Sequence, residues 1–427
     1  MRPSRLTVAP ILATLLLAPA LAQADDYYVS IARGKGKEAT KENPAKDLGN
    51  IVAKLKDGDT IHLAEGVYNG RDEAGADAIG VAVKIVGGWK DDFSARDPWG
   101  AHKTILTGTN AISGSTAYRL LIETKKCGSD IVVDGIVFDN GPRNQYSNDK
   151  QVVIVRQANA TKGLNSSPES GALKVIVGEN CKVAIKNNVV MNTAPTGGAI
   201  YAQGHMNADI TIENNLVINN TGEGIFAMTK WQGRDYKDAP KFHIARNTIL
   251  FSWKHDAIGS YGGNALKFDT MIQATVSQNV FGFGDYGGVD NIKKAQGVTL
   301  KDNLFTGNRL YDYREFNTSV KVDELADEAD LLTPASTGNV SMAIKVPVSN
   351  AWAGLYAGRK EISRAEVDAK AKAANSGANQ IRSMLGLPLQ ANAVNVDVDV
   401  WLPRMQLADA LAVGKQAYEG KYGCHKP

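Results

Sequence analysis

Val183-Ala184-Ile185-Lys186-Asn187-Asn188-Val189-Val190 is a short apolar alternation, a polar pair ending in Asn, and a second apolar run. The phrase returns as Ile210-Thr211-Ile212-Glu213-Asn214-Asn215-Leu216-Val217 and Phe242-His243-Ile244-Ala245-Arg246-Asn247-Thr248-Ile249. It appears twice more, as Ala274-Thr275-Val276-Ser277-Gln278-Asn279-Val280-Phe281 and Val298-Thr299-Leu300-Lys301-Asp302-Asn303-Leu304-Phe305. An earlier variant, Ile131-Val132-Val133-Asp134-Gly135-Ile136-Val137-Phe138, puts Gly at the corner. The final asparagines, 188, 215, 247, 279 and 303, are 27, 32, 32 and 24 residues apart.

A repeat of that length is one structural unit that cannot bury its apolar face alone and must stack on its neighbours. Each phrase is two period-2 runs around a bend, so the unit is built of strands. Asn and Gly suit the bend because both tolerate left-handed backbone. A third strand precedes most corners: Ala172–Val177, Gly198–Gln203 and Gly224–Met228. Three strands per turn at this spacing predict an all-β chain, a right-handed parallel β-helix solenoid. The Leu-x-x-Leu-x-Leu rhythm of a horseshoe repeat is absent, as are the longer, uniform units of a propeller.

The chain has 427 residues, is 43% hydrophobic and carries a formal net charge of +3. Neither that charge nor any basic or aromatic-basic run points to nucleic acid. Arg2 and Arg5 precede an apolar stretch, Leu6–Leu17, then Pro19 and Ala22-Gln23-Ala24. This is the pattern of a secretory signal peptide over 1–24, so the mature protein is expected to be exported, periplasmic or secreted. No later run is long enough for a membrane span. A monomer is expected.

The exported compartment permits disulfides among Cys127, Cys181 and Cys424. Cys127 lies eight residues before Gly135 and Cys181 seven before Asn188. A bridge is within reach if they are one coil apart, since stacked strands are ~4.8 Å apart. At two coils, ~10 Å exceeds the usual Cα limit. The coil count between them stays open.

Asp26–Ser30 reads as a first strand, and Pro44–Leu55 has the apolar spacing of an amphipathic helix that would cap the first coil. The order Tyr28-Val29-Ser30, loop, cap helix, Gly58-Asp59-Thr60-Ile61 and Gly66-Val67-Tyr68 resembles the N-terminal region of pectin-lyase-like right-handed β-helix proteins. Val86-Gly87-Gly88-Trp89, Asp92-Phe93-Ser94, Arg96-Asp97-Pro98 and Thr104–Gly108 look like a segment that recurs in bacterial surface members of that superfamily. The resemblance covers about Asp26 to Asn308. It implies the fold but not one activity, because the superfamily spans lyases, hydrolases, esterases, epimerases and adhesins. After Asn308 the rhythm fades. The solenoid with its N-terminal cap is therefore assigned to 25–308, and 309–427 to a mixed C-terminal cap or extension.

Counting back from each corner sets the register. Leu173, Ile200 and Leu266 point inward, so Lys174, Tyr201 and Lys267 form one outward column. Phe226 joins it if the chain after Lys230 is an insertion. Ile176, Gln203, Met228 and Asp269 form the next column. Outward aromatic and polar side chains on a flat sheet match a saccharide groove. Lys174, Tyr201, Gln203, Phe226, Lys230 and Asp269 are the candidate substrate-binding residues.

The densest chemistry lies between Lys230 and Asp269. Elimination from a uronate needs a cation to neutralise the carboxylate, a base for the C5 proton and a donor for the departing oxygen. Lys254 or Lys267 would be the base, Arg234 the neutraliser, and His255 or Tyr261 the donor. Hydrolysis needs two carboxylates roughly 5–9.5 Å apart; Asp256, Asp269, Asp285 and Asp290 are available, but nothing pins a pair. The superfamily's Arg-x-Pro-x-x-Arg, Asn-Thr-Asp, Gly-His-Gly and Asp-Pro-His-Asp signatures are absent. The histidines lack zinc-ligand spacing. Calcium is the cofactor the resemblance allows, with its ligands unassigned.

The expected role is thus an exported protein that binds an extracellular or cell-envelope polysaccharide, with cleavage by elimination the favoured reaction. A non-catalytic adhesin or glycan-binding scaffold and a glycoside hydrolase with paired carboxylates remain as alternatives.

Overall fold

The computed structural model describes residues 24–70, 76–107, 118–140, 144–147, 152–155, 171–193, 195, 197–230, 233, 235–253, 262–269, 271–291, 297–324, 336–344, 405–417 and 421–427. The expected signal segment and the helical stretch Glu361–Ala374 lie outside them, as does the expected strand Val394–Leu402.

The chain winds as a parallel β-helix. Among the described residues, three sheets of nine strands each run along the solenoid. The first holds, among others, Ile131–Asp134, Lys182–Lys186, Asp209–Glu213, Lys241–Ala245, Gln273–Ser277 and Val298–Lys301. The second continues from each corner, as in Val189–Met191, Leu216–Thr221 and Thr248–Trp253. The third contains Leu120–Thr124, Leu173–Val177, Gly198–Gly204, Glu223–Thr229, Asn264–Phe268, Gly287–Asn291 and Tyr311–Glu315.

One-coil register places like on like inside. Ile185, Ile212, Ile244, Val276 and Leu300 stack in the first sheet. Leu173, Ile200, Ile225, Leu266 and Val289 stack in the third. All ten are fully buried, and each such side chain contributes on the order of 1.5–3 kcal/mol of transfer free energy.

The corner divides two tasks between adjacent residues. The left-handed residue is the first of the pair: Asn187, Asn214, Arg246, Gln278 and Asp302 have φ between 51° and 57°. Gly135, at φ 71°, falls in that position, because Val137 pairs with Val189. It therefore aligns with Asn187, not with the final Asn. The second residue forms a buried amide ladder. The backbone N–H of Asn215 donates to Asn247 Oδ1 at 3.0 Å, and that of Asn247 to Asn279 Oδ1 at 2.9 Å. Each Nδ2 donates onward to the next Asn and back to a strand carbonyl; Asn247 reaches Ile212 at 2.8 Å. The ladder runs one step beyond the sequence repeat, to Asn339, ahead of the strand Val340–Ser341. Tyr311–Glu315 likewise continues the third sheet beyond Asn308.

The N-terminal cap is helical but not an α-helix. Leu48–Asn50 and Val52–Lys54 are separate 3-10 turns, the first closed by a capping box between Asp47 and Asn50. Gly49 and the β-branched Ile51 and Val52 disfavour a continuous α-helix. The turns still bury Leu48, Ile51 and Leu55 over the first coil. Cys127 and Cys181 are bridged, with Cα atoms 5.3 Å apart. The strands that follow them, Ile131–Asp134 and Lys182–Lys186, are direct neighbours, so one coil separates them.

The described part of the C-terminal region docks on the second sheet. Met405 and the helix Leu407–Gln416 pack over Val137, Val189, Met191, Leu216 and Ile218, leaving this sheet apolar on both faces. Asn192 exchanges two hydrogen bonds with the Met405 backbone, both 2.9 Å. Cys424 is a buried free thiol here.

Candidate functional site on the third sheet

The outward face of the third sheet carries the expected column. Lys174 pairs with Tyr201, Tyr201 with Phe226, and Phe226 with Lys267. The register continues to Asp290 and Arg314. All four expected members are half-buried. Lys174 Nζ lies 5.3 Å from the Tyr118 ring centroid and 4.8 Å from that of Tyr201. Tyr201 meets Phe226 edge-on with centroids 5.6 Å apart. Lys267 Nζ lies 5.5 Å from the Phe226 centroid. Cations thus sit over aromatic rings at both ends of a continuous stripe.

Gly198 makes the stripe possible. A Cβ there would come within 2.6 Å of the Phe226 backbone nitrogen and 2.9 Å of its Cβ. Gln203, expected to read hydroxyls, is instead 9% exposed, and its Oε1 accepts the Tyr201 hydroxyl at 3.1 Å. It braces the ring rather than facing solvent. Asp269 follows the strand Asn264–Phe268 and its N–H donates to the Ala227 carbonyl at 3.0 Å. Lys230 is exposed at the end of Glu223–Thr229. Lys254, His255, Tyr261 and Arg234 lie outside the described residues, as does Asp256.

At the Lys267 end the stripe joins a buried polar network that sequence reasoning did not assemble. Glu223 Oε1 is 3.3 Å from Lys267 Nζ, and Glu223 Oε2 accepts the Asn264 N–H at 3.0 Å. The Asn264 side chain bridges Tyr311 and Asp290, accepting from the Tyr311 hydroxyl at 2.7 Å. Arg314 donates twice to Asp290, at 2.9 and 3.1 Å, and lies over the Tyr286 and Tyr311 rings. Burial raises the Glu223 carboxyl above its ordinary range; Lys267 opposes that rise and Asp290 adds to it. Burial works against the Arg314 charge, but the Asp290 carboxylate outweighs it and holds the guanidinium protonated. A signal for Glu223 existed: it is a lone acid, between Gly222 and Gly224, opening an otherwise apolar strand. Arg314 and Tyr311 fell where the repeat becomes irregular.

Of the carboxylates weighed for hydrolysis, Asp290 is engaged by Arg314, and Asp285 lies 3.3 Å from Arg309. Calcium requires about 6–8 oxygen ligands. Glu223 and Asp290 face cationic partners, and among the described residues no group of three or more His, Cys, Asp or Glu is arranged to hold a metal. The described residues of this site do not fit that ion.

No protein-family model matches the chain, and no curated protein is detectably similar. Among solved structures it is similar to the pectate lyase Pel9A, at 12% identity over 71% of this chain and 74% of that one, with a TM-score of 0.44. A GH136 lacto-N-biosidase from Eubacterium ramulus matches at 10% identity over 75% of this chain and 67% of that one, with a TM-score of 0.17. The fold assignment rests on the strand register itself.

Proposed function

We propose that the chain is an exported protein that binds an acidic polysaccharide along the third-sheet face and cleaves it by β-elimination. One observation carries the binding: Lys174, Tyr201, Phe226 and Lys267 stand in register on successive coils, so a linear polymer laid across the coils meets two aromatic side chains between two cations. Aromatic faces cover sugar rings, and the flanking ammonium groups favour carboxylates on the polymer. The assignment of elimination rests on Lys267 beside Glu223, a cation and a buried carboxyl able to exchange a proton at the edge of the stripe. In this reading Glu223 takes the ammonium proton, and Lys267 as the free amine is then the base for the C5 proton. Arg234, Lys254, His255 and Tyr261 are the candidates for neutralising and protonating the substrate. The Cys127–Cys181 bridge supports an oxidising, exported location. No helix among the described residues is long and apolar enough to cross a membrane.

The test incubates the mature protein with polygalacturonate, alginate and a neutral glucan, following ultraviolet absorbance of the unsaturated product and binding by calorimetry. Binding to the acidic polymers, lost in Lys174→Ala, with absorbance growth lost in Lys267→Ala, is the expected result. Binding without product would reduce the function to a glycan-binding scaffold. Equal binding to the neutral glucan would sink the acidic-polymer assignment.

A further inference from the structure

A concave site lies off the third-sheet stripe. It is at the corner between the first and second sheets, where the chain's last residues return. Lys186, Asn187, Glu213, Asn214, Arg246 and His425 line a cavity of about 420 Å³. Successive coils supply it: Lys186 pairs with Glu213, and Glu213 with Ala245, the residue before Arg246. The C-terminal segment closes it. His425 N–H donates to Asn214 Oδ1 at 2.7 Å and its carbonyl accepts from Asn214 Nδ2 at 3.0 Å. Cys424 N–H donates to Thr248 Oγ1 at 2.9 Å, and Gly423 N–H to the Gln278 carbonyl at 2.7 Å. The wall is therefore pinned rather than loosely apposed.

The polar groups of this corner are unevenly used. The asparagine amides are spent within the protein: Asn187 donates to Asp134 and Asn214 to Asn187, each at 2.7 Å. Arg246 spends one terminal nitrogen on Glu213, leaving the rest of its guanidinium without an acceptor among the described residues. Lys186 holds only a loose contact, 3.8 Å, with Asp134. Both cationic side chains are close to half exposed. Two cations and one remaining carboxylate converge on a space of ligand size. A bare oxyanion would use only the cations. A sugar acid would use both, its carboxylate on the cations and a hydroxyl on Glu213.

We infer that this corner binds one acidic sugar residue, the carboxylate between Lys186 and Arg246, a hydroxyl on Glu213, and His425 against the ring. The site stands independently of third-sheet binding. Burial and Arg246 keep the imidazole neutral by lowering its pKa, so a carboxylate arriving beside it registers at the ring.

The experiment follows the His425 ring signals by NMR in the full mature chain, assigned by the loss of those signals in His425→Gln. The probes are galacturonate, glucose and inorganic sulfate. Galacturonate should move the His425 signals saturably and glucose should not. Arg246→Gln and Lys186→Gln should each weaken the response roughly tenfold, the cost of one charge-assisted contact. Both replace partly exposed side chains, and the unchanged signals of the other histidines report that each variant folds. No response to galacturonate, an equal response to glucose, or a response to sulfate as strong as that to galacturonate would overturn the assignment. The readout is local to this corner, so its failure leaves the third-sheet proposal standing, and the converse holds.

Discussion

Asn247→Ala tests the corner ladder, and its cost can be worked from the contacts. The Asn247 side chain accepts from the Asn215 backbone N–H at 3.0 Å and from Asn215 Nδ2 at 2.9 Å. It donates to the Ile212 carbonyl at 2.8 Å and to Asn279 Oδ1 at 3.0 Å. Truncation does not affect these groups equally. Asn215 Nδ2 keeps the Ile185 and Glu213 carbonyls, and Asn279 Oδ1 keeps the Asn247 N–H, so each loses little. The Ile212 carbonyl lies in the sheet register with Ala245 and keeps that strand bond, as the Leu300 carbonyl accepts both the Thr337 N–H and Asn339 Nδ2 at the Asn339 corner. The Asn215 N–H is the group left without an acceptor in a fully buried site. Orphaning a buried polar group costs about 1–3 kcal/mol, which puts the substitution at about 2 kcal/mol for this one group. Asn339→Ala, at the partly buried end of the ladder, should cost less than half as much, because water can replace the lost acceptor. Urea denaturation of both variants, read as midpoint shifts at constant slope, measures the difference. A loss below about 1 kcal/mol at Asn247, or equal losses at both positions, would refute the view that desolvated amides hold the corner.

Two further outcomes follow from particular contacts. Cys127→Ala should destabilise the chain by about 4 kcal/mol, the loop-closure value for a bridge spanning 54 residues; a midpoint unchanged from the parent would contradict this. Glu223, held above its ordinary value of 4.5, binds more protons folded than unfolded between its two pKa values. Its contribution is present at low pH and is lost as pH rises from about 4.5 through the raised value. Glu223→Gln should remove that decline, and superimposable stability profiles for parent and variant from about pH 4 to pH 8 would rule it out.

The sequence by itself determined whatever repeats with the coil. A two-residue strand period joined to a one-coil repeat fixes which side chains face outward and which stand above one another. That is why Lys174, Tyr201, Phe226 and Lys267 were legible as a column before any coordinates. The same logic placed the ladder asparagines, although the left-handed bend belongs to the residue before each of them. Tertiary structure decided what does not repeat. The coil count behind the Cys127–Cys181 bridge depended on how much of the intervening chain enters the sheets. The Glu223–Lys267 contact arose because Glu223 opens its strand, where strict alternation gives way to the corner. His425 reaches Asn214 across 211 residues of sequence. The docking of the C-terminal helix on the second sheet and the hydrogen bonds of Gly423 and Cys424, neither of them set by a local pattern, bring those two residues together.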